Sequence, residues 1–511
     1  GSEMCIRDRG ISDYRKALFS GNLSRSYYKE RMFLLVSCDM SGIQDFIYDI
    51  SGSKALKQLR ARSLYLELMM EHIVDELLDR LSLNRTNVMY TGGGHAYLLL
   101  PNTLNAKNVL IQFKNELKEW FVHEHGTNLF MAFASIECSA DDLSNAGEDK
   151  QRFPNLFRKL SAKLSNAKAM RYSAADIKAM NFAAQSHFDD GRECRECHRS
   201  TALASNDDIC KTCESLQDIS ADLVSKSVFA IVDDSCGNPR HRQLSLPFGA
   251  NLVLYERNCY LKEKPEVRRV YTKDWDAGTN LATHIWMGDY TADTDGEGIS
   301  SYAGSAITLD GGKGIKRLGV LRADVDNLGA AFAGGIPANK ASISRTATLS
   351  RSLSLFFKSQ VNEILKSGQY RLQVIYSGGD DLFIVGNWSD VLYAALDLRK
   401  SFKKFTGNGV LTISAGIGMF DEKYPIARMA TETGELEDAA KLYVENCPDG
   451  GIRTKNAVAL WNLDSVFSWD DLADIVEPRV REVANIFKEN DKGKAFIYKM
   501  VSLLRNYDDV I

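Results

Sequence analysis

The stretch Leu372-Gln-Val-Ile-Tyr-Ser-Gly-Gly-Asp-Asp-Leu-Phe-Ile-Val385 holds two apolar runs around a turn of two glycines and two aspartates. Glycine adopts the positive φ of a tight turn at little cost, so this stretch predicts a β-hairpin. Asn87-Val-Met-Tyr-Thr-Gly-Gly-Gly-His-Ala-Tyr-Leu-Leu-Leu100 has the same form. We call residues 92–95 the first turn and residues 378–381 the second turn. Two hairpins of one kind in one chain indicate an internal duplication.

The duplication extends to the segments before each hairpin. Phe33-Leu-Leu-Val-Ser-Cys-Asp39 and Leu318-Gly-Val-Leu-Arg-Ala-Asp324 are apolar runs that end in aspartate, 53 and 54 residues before Gly92 and Gly378. A segment with helical periodicity follows each run, and a further helix and strand follow each hairpin. Each copy therefore predicts β-α-β-β-α-β, a ferredoxin-like arrangement, and the chain an α+β fold.

The two copies differ at the end of the hairpin turn. The second has Asp380 and Asp381 where the first has Gly94 and His95. In this topology the first strand ends beside the central hairpin, so we expect Asp324 to face both acids. Three clustered carboxylates repel one another unless a cation lies between them, and Mg²⁺ prefers carboxylate oxygens, water and phosphates.

Such a cluster suits two-metal nucleotidyl transfer by Mg²⁺ or Mn²⁺. We therefore predict Asp324, Asp380 and Asp381 as catalytic metal ligands, with the backbone carbonyl of Val325 as an additional ligand. Asp326 has two readings: it caps the turn into the next helix, or it supports the metal site from outside. Asn327 is predicted to contact the nucleotide.

Other residues near the second turn predict a nucleotide site. Gly378 and Gly379 have no side chain, so a nucleotide can lie on their backbone, and Ser377 can bond a phosphate or sugar oxygen. Lys441 and Lys455 lie downstream and can neutralise phosphate. The alternatives are an ordinary turn with solvated acids and two surface lysines.

Four cysteines form a separate motif. Cys194, Cys197, Cys210 and Cys213 have the spacing CxxC-x12-CxxC. Two such pairs can surround one ion in an all-thiolate tetrahedral site, so we predict a structural Zn²⁺. Two disulfides and four free thiols are the alternatives, and disulfides are disfavoured because no secretory signal precedes them.

Composition excludes some classes of protein. The chain of 511 residues has 63 Lys and Arg against 67 Asp and Glu, which argues against nucleic-acid binding by bulk positive charge. It has no run of about 18 apolar residues, so we expect no membrane segment and a cytoplasmic location.

Residues 151–175 contain six basic residues and no acid. Such a stripe follows a nucleic-acid backbone or forms a solvated helix face. The six residues are Arg152, Arg158, Lys159, Lys163, Lys168 and Arg171.

Five stretches and the cysteine pairs, in this order, resemble the large palm-domain subunit of type III-A (Csm-type) CRISPR effector complexes. The stretches are residues 39–48, 59–68, 90–97, 314–329 and 376–381, and the resemblance covers about residues 30–465. It implies two palm domains of the nucleotide-cyclase (GGDEF-like) type. Family members commonly begin with an HD-type nuclease domain. About thirty residues precede the first palm strand here, and they contain no His-Asp pair, so we expect no DNase activity.

The resemblance implies that the chain uses ATP to make cyclic oligoadenylate when its complex recognises target RNA. The palm with the second turn would hold the metals, and the other palm would help to hold a second ATP. This carries a nucleotide-binding role over to Ser41, Gly42 and the first turn. The implied partners are other Csm-type subunits, especially the one that binds the guide 5′ end, with CRISPR guide RNA and target RNA.

The expected layout has five parts. These are a tag remnant or disordered N-terminus (1–30), a first palm domain (31–140), a middle zinc-bearing domain (141–312), a catalytic second palm domain (313–463) and a truncated C-terminal helical domain (464–511). Two other functions stay open. A stand-alone class III or diguanylate-type cyclase normally has Glu where Asp381 stands, and a non-catalytic scaffold would not need the intact acids.

Overall fold

The computed structural model describes most of the chain. The described residues are 20–48, 50, 55–145, 149, 151–183, 192–201, 208–220, 226–234, 241–274, 281–292, 298–308, 314–407, 409–446, 452–490 and 495–508.

The first sheet contains four antiparallel strands in the order β2-β3-β1-β4. They are β1 (Phe33–Ser41), β2 (Val88–Gly92), β3 (His95–Pro101) and β4 (Phe130–Cys138). A short 3₁₀ turn (Arg85–Asn87) leads into β2. The helices of this part are α1 (Gly21–Lys29), α2 (Ile43–Tyr48), α3 (Ala55–Arg80) and α4 (Leu104–His125). This is the predicted ferredoxin-like order.

Both faces of the first sheet are covered. Leu34 and Val36 of β1 join the core formed with α3 and α4, whereas Leu35 points into a core on the other face. That second core is built with α6 (Arg152–Ala169), which follows the short α5 (Ala140–Ser144) and precedes α7 (Ala174–Ala183). The boundary expected at residue 140 therefore divides a packed unit, because α6 buries its apolar face on this sheet.

The middle part is a five-stranded sheet in the order β11-β10-β7-β9-β8. A two-stranded ribbon of β5 (Arg192–Glu193) and β6 (Ser200–Thr201) precedes it. The strands of the sheet are β7 (Val228–Asp233), β8 (Gln243–Leu246), β9 (Ala250–Tyr255), β10 (Arg269–Thr272) and β11 (Ala282–His284). The helices here are α8 (Lys211–Ser220), α9 (Arg257–Glu263) and α10 (Ile299–Thr308).

The second sheet repeats the order of the first and extends it. Its order is β13-β14-β12-β15-β18-β19, so the first four strands match β2-β3-β1-β4 and confirm the predicted duplication. The strands are β12 (Leu318–Val325), β13 (Leu372–Ser377), β14 (Asp381–Asn387), β15 (Ile413–Phe420), β18 (Ala457–Leu460) and β19 (Val466–Ser468). A separate ribbon pairs β16 (Val444–Asn446) with β17 (Ile452–Thr454).

Helices surround the second sheet and form the C-terminal part. They are α11 (Leu328–Ala330), α12 (Ile343–Leu355), α13 (Val361–Ser367), α14 (Trp388–Phe405), α15 (Ile426–Lys441), α16 (Trp469–Asp471), α17 (Glu477–Asn490) and α18 (Ala495–Asp508). Single π turns occupy Ala331–Gly335, Phe356–Gln360 and Leu472–Val476.

Residues Gly21–Lys29 are helical, although we expected disorder up to residue 30. Residues 1–19 lie outside the described residues.

No helix in the described ranges combines the length and the apolar content that crossing a bilayer requires.

The two duplicated halves pack directly on each other. The rings of Tyr48 and Phe383 lie 4.8 Å apart between centroids, and Arg351 donates a hydrogen bond to the Val88 carbonyl. Lys358, which follows α12, is buried and forms an ion pair with Glu67 of α3. These contacts bring the first and second turns to one junction.

The helix α3 also joins the first sheet to the middle sheet through His72, whose side chain is fully buried. Nε2 of His72 lies 3.0 Å from the Pro247 carbonyl oxygen, and Nδ1 lies 2.9 Å from an N–H group of Arg269. Since a guanidinium can only donate, Nδ1 accepts and the ring is neutral. Burial lowers the pKa of His72 to about 3.

This buried neutral histidine predicts a loss of stability in acid. Between about pH 6.5 and pH 3 the unfolded chain binds a proton that the native chain does not. The variant His72→Gln keeps one donor and one acceptor. When the pH falls from about 7 to about 5, we expect the unfolding free energy of wild type to decrease by about 2 kcal/mol more than that of His72→Gln. Chemical denaturation at both pH values measures this.

The control is His123→Gln, because the side chain of His123 is 83% exposed. It should follow wild type at both pH values. Equal acid sensitivity of wild type and His72→Gln would contradict the prediction.

Candidate active site between the two glycine turns

The strand pairing brings together the three predicted catalytic acids. Asp324 lies near the end of β12 and pairs directly with Asp381, the first residue of β14. The backbone N–H of Val325 donates to the Asp380 carbonyl oxygen at 3.1 Å, which fixes the second turn against β12. The sheet topology thus places the acids side by side, as their order in the sequence predicts.

The negative charges of these three acids are only partly balanced by nearby positive charge. Burial and the charge of Asp324 raise the pKa of Asp380 to about 7. Burial, with the charges of Asp380 and Asp324, raises the pKa of Asp381 well above its usual range. Burial also raises the pKa of Asp324, although the ammonium of Lys441 opposes that rise. A cation at this place would relieve the repulsion.

The donor set consists of carboxylate oxygens, which hard divalent cations prefer as ligands. Among the described residues, buried Asp381 Oδ1 makes no hydrogen bond of good geometry, although the Tyr376 hydroxyl opposes the rise in the pKa of this carboxyl. This oxygen is therefore available to a ligand. Within the described residues, the oxygens of the three acids do not all lie within 4.8 Å of one another.

The two predicted lysines lie at this edge of the sheet. Lys441 ends α15, and its Nζ lies 2.8 Å from Asp324 Oδ2 and 2.5 Å from Glu437 Oε1. Lys455 Nζ donates to Asn327 Oδ1 at 2.8 Å. Asn327 itself has φ of 56° at the start of α11. Neither lysine is an isolated surface residue, since each is tied to a residue of the β12 end.

Asp326 does not cap the following helix. It is 3% exposed and accepts hydrogen bonds from Thr412 Oγ1 at 2.7 Å, Ser414 Oγ at 2.8 Å and the Asn456 N–H at 3.1 Å. These bonds join the end of β12 to β15 and to the loop that carries Lys455. We had predicted that Asp326 either caps the next helix or supports the metal site from outside. This arrangement favours the second role.

Ser377 makes a different contact from the one we expected. Its hydroxyl donates to the Phe357 carbonyl oxygen at 2.6 Å, and the residue is 6% exposed. The proton is therefore engaged inside the protein and is not presented to a phosphate. The serine instead holds β13 against the helical segment of Lys358.

We expected the glycines of the second turn to adopt positive φ, but they do not. Close packing is what requires glycine at these two positions. The positive φ values occur in the first turn, at Gly93 and Gly94. A Cβ on Gly378 would lie 2.3 Å from the Tyr376 hydroxyl, and one on Gly379 would lie 1.9 Å from the Tyr90 hydroxyl. The second of these contacts comes from the other half of the duplication.

The first turn faces the second at close range. A Cβ on Gly93 would lie 3.4 Å from Asp380 Oδ1. Ser41 ends β1, and Gly42 follows with φ of 89°, where a Cβ would lie 1.8 Å from the Asn128 carbonyl oxygen. The bare backbone of Gly42 is thus sterically required. Ser41, Gly42 and the first turn border the same junction as the acids.

Sequence reasoning missed a set formed by Asp39, His95 and Lys168. Asp39 pairs with His95 in the register in which Asp324 pairs with Asp381. Asp39 Oδ2 lies 2.8 Å from His95 Nδ1, and Oδ1 lies 2.7 Å from Lys168 Nζ. Burial would raise the pKa of Asp39, but these two partners lower it overall.

Lys168 is the counterpart of Lys441. It lies near the end of α6, which follows β4 as α15 follows β15. We had treated it as one of six basic residues on a stripe. Extending the repeat alignment through the helix after the fourth strand would have placed Lys168 opposite Lys441.

The four cysteines converge as predicted. The Sγ atoms of Cys194, Cys197, Cys210 and Cys213 all lie within 4.8 Å of one another, and all four thiols are free. The Cys210 N–H donates to Cys194 Sγ, and buried Arg62 of α3 donates to Cys213 Sγ. The set can hold one metal ion, and Arg62 connects it to the first sheet. The disulfide alternative is not what the structure has.

Comparisons with known proteins agree with this architecture. The family model described as Csm1 subunit domain B matches residues 32–183, and that of the Cas10/Cmr2 second palm domain matches residues 317–447. A relative from Enterococcus italicus, a "CRISPR system single-strand-specific deoxyribonuclease Cas10/Csm1 (subtype III-A)", is 46% identical over 515 residues. The match covers 99% of this chain and 64% of that relative.

Solved structures show the same likeness. A Csm1-Csm4 cassette in complex with cA3 matches this chain with a TM-score of 0.70 and 27% sequence identity. The match covers 91% of this chain and 61% of the chain in that structure. A Csm1-Csm4 cassette in complex with one ATP matches it with a TM-score of 0.69 and 25% sequence identity, over 93% of this chain and 65% of the chain in that structure. This chain thus spans less than two thirds of each of these proteins. The duplicated sheets, the second turn and these matches show that the chain belongs to the Cas10/Csm1 family of subtype III-A CRISPR systems.

Proposed function

We propose that this chain joins ATP molecules into cyclic oligoadenylate as part of a cytoplasmic type III-A effector complex activated by target RNA. The observation that carries the proposal is the partly buried set of Asp324, Asp380 and Asp381, which the strand register brings side by side. Similar cassettes have been solved in complex with one ATP and in complex with cA3, and these ligands support the proposal.

In this proposal the three acids hold two Mg²⁺ or Mn²⁺ ions. When bound, such ions activate a 3′ hydroxyl and stabilise the leaving pyrophosphate. Lys441 lies 2.8 Å from Asp324, so a phosphate beside that carboxylate would meet an ammonium group. Lys455 and Asn327 border the same edge and would contact the nucleotide. The Val325 carbonyl is proposed as a further ligand.

The first half of the duplication is proposed to bind and not to catalyse. Its Asp39 already has Lys168 and His95 as partners, so it needs no metal ion. The neutralised set would not repel a second triphosphate at the junction. Ser41, Gly42 and the first turn would border this second nucleotide.

We further propose that this chain alone does not cleave DNA, the activity that the relative's name records. Residues 1–32, which precede β1, contain no histidine and therefore no His-Asp pair of the HD nuclease type.

The proposed partners follow from the similar cassettes, which pair Csm1 with Csm4. We propose that this chain binds the Csm-type subunit at the guide 5′ end, together with guide RNA and target RNA. The four cysteines are proposed to hold a structural Zn²⁺, because four thiolates with this spacing form a closed tetrahedral site.

The catalytic assignment of the three acids can be tested directly. The chain is assembled with its partner subunits, guide RNA and target RNA and given ATP and Mg²⁺. We expect Asp380→Ala with Asp381→Ala to reduce cyclic oligoadenylate formation at least about 100-fold, because the metal ligands are lost. Chromatography with mass spectrometry of the products measures this.

Asp438→Ala is the control, because Asp438 is an exposed acid on α15. It should leave the rate unchanged. Undiminished product from the double variant would refute the assignment of the acids. In a parallel reaction supplied with GTP, a cyclic dinucleotide product would favour the stand-alone cyclase.

The two related lysines give a matched test. Lys441→Met should lower the rate at saturating ATP roughly 10- to 100-fold, since a hydrogen bond to a charged group contributes about 1.5–3 kcal/mol. Lys168→Met should mainly raise the ATP concentration for half-maximal rate, because Asp39 would then repel the second triphosphate. Steady-state kinetics of the assembled complex separates the two effects.

Lys163→Met on the same helix as Lys168 is the control, since Lys163 is exposed. An effect of Lys163→Met equal to that of Lys168→Met would remove the special role of Lys168. The same would follow if Lys168→Met had wild-type kinetics.

The four-cysteine site gives a separate prediction. Cys194→Ser with Cys213→Ser should remove one equivalent of zinc and lower the unfolding temperature, because a structural zinc ion contributes its binding energy to folding. Elemental analysis of protein purified without chelator and thermal unfolding measure both effects. Cys38→Ala, which alters a buried thiol outside the set, should keep its zinc. Wild-type protein without zinc would contradict the prediction.

A further inference from the structure

A second group of metal-ligand side chains lies on the middle sheet, away from both turns. It consists of His241, Cys259 and Glu263, whose donor atoms all lie within 4.8 Å of one another. Cys259 and Glu263 are four residues apart on α9, so one helix face presents both of them. His241 comes from the segment that leads into β8.

The glutamate lies between the other two side chains. Its Oε2 is 2.7 Å from His241 Nε2, and its Oε1 is 3.3 Å from Cys259 Sγ. The imidazole is held in place by the ring of Tyr255, at 4.6 Å between centroids, and the side chain of His241 is only 14% exposed. The arrangement is therefore oriented on the histidine side and reachable by solvent on the glutamate side, where 32% of the side chain is exposed.

Charged groups of both signs lie near the three side chains. Glu256 immediately precedes α9, whereas Arg242, Lys262 and Lys264 are sequence neighbours of His241 and Glu263. The proposed site therefore depends on the geometry of its donor atoms and not on an excess of negative charge.

We propose that His241, Cys259 and Glu263 bind one divalent cation of the zinc type. Nitrogen, sulfur and oxygen donors together suit Zn²⁺, which accepts each of them at about 2.0–2.3 Å. Tetrahedral donors are then roughly 3.3–3.8 Å apart. The present separations of 2.7 and 3.3 Å need only small side-chain rotations to reach that spacing.

Binding has a simple proton balance. The Cys259 thiol releases one proton to solvent and binds as the thiolate. The proton that His241 Nε2 shares with Glu263 also leaves that nitrogen, so that neutral imidazole with its proton on Nδ1 binds through Nε2. Three protein ligands leave a fourth position for water, unlike the closed site of the four cysteines. This site is independent of the proposed ATP chemistry, because none of its ligands comes from the duplicated halves.

The test uses the full chain purified without chelator, and zinc per chain is measured by elemental analysis. We expect two equivalents in wild type and one equivalent in His241→Ala and in Cys259→Ala. In wild type, Co²⁺ that replaces the more weakly held zinc should give the charge-transfer band of a single thiolate, and Cys259→Ala should lose that band. Glu263→Gln preserves the shape of the side chain and should weaken zinc binding at least about tenfold.

His123→Ala is the matched control, because His123 and Glu124 form an exposed histidine–carboxylate pair with Nδ1 and Oε1 3.1 Å apart. It should keep two equivalents. One zinc in wild type, unchanged in the His241 and Cys259 variants, would overturn the proposal, and the three side chains would then be a hydrogen-bonded set only. If the alanine variants lose both equivalents of zinc, the milder variant Glu263→Gln is measured instead. It should keep the one equivalent that the four cysteines hold.

Discussion

The direct pairing of Asp324 with Asp381 is the constraint on which the half with the second turn depends. It sets two partly buried carboxylates side by side, with Asp380 one residue away, and burial raises the pKa of each acid. Such an arrangement persists only if the backbone around it is held firmly. The neighbouring hydrogen bonds of Asp326 provide that support, because they tie the end of β12 to β15 and to the loop of Lys455. The strand register thus creates the charge cluster, and the adjacent residue keeps the register.

The duplicated half shows what the same geometry does with other side chains. Asp39 occupies the position of Asp324, and His95 occupies that of Asp381. One acid then faces an imidazole and the ammonium of Lys168, so its pKa is lowered where those of the other three acids are raised. Because Lys168 matches Lys441, the difference in charge comes from the second turn, where two aspartates stand in place of Gly94 and His95. Their absence leaves the first site already neutralised. This is the physical basis for proposing one catalytic and one binding half.

Much of this could be predicted from the sequence because it depends on local signals. Apolar runs, glycine turns and the spacing from Asp39 and Asp324 to their turns determine the strand order, and that order brings Asp324 to Asp380 and Asp381. The rest depends on contacts between distant residues. The Ser377 hydroxyl binds a carbonyl twenty residues away, and Gly379 is required by Tyr90 of the other half. The position of α6, and with it the role of Lys168, follows from burial of its apolar face on the first sheet, which a stripe of basic residues conceals.

The junction between the halves adds a further constraint on how such a site can be controlled. Lys358 and Glu67 form a buried ion pair across it, close to the hydroxyl contact of Tyr90 with Gly379. Leaving one buried charge of such a pair without its partner costs about 3–5 kcal/mol. Movement that separates the halves would have to break this pair and also expose the packed rings of Tyr48 and Phe383. The edge with Lys441, Lys455 and Asn327 can rearrange at lower cost, because its polar groups are exposed or partly exposed and each is held by one or two polar contacts.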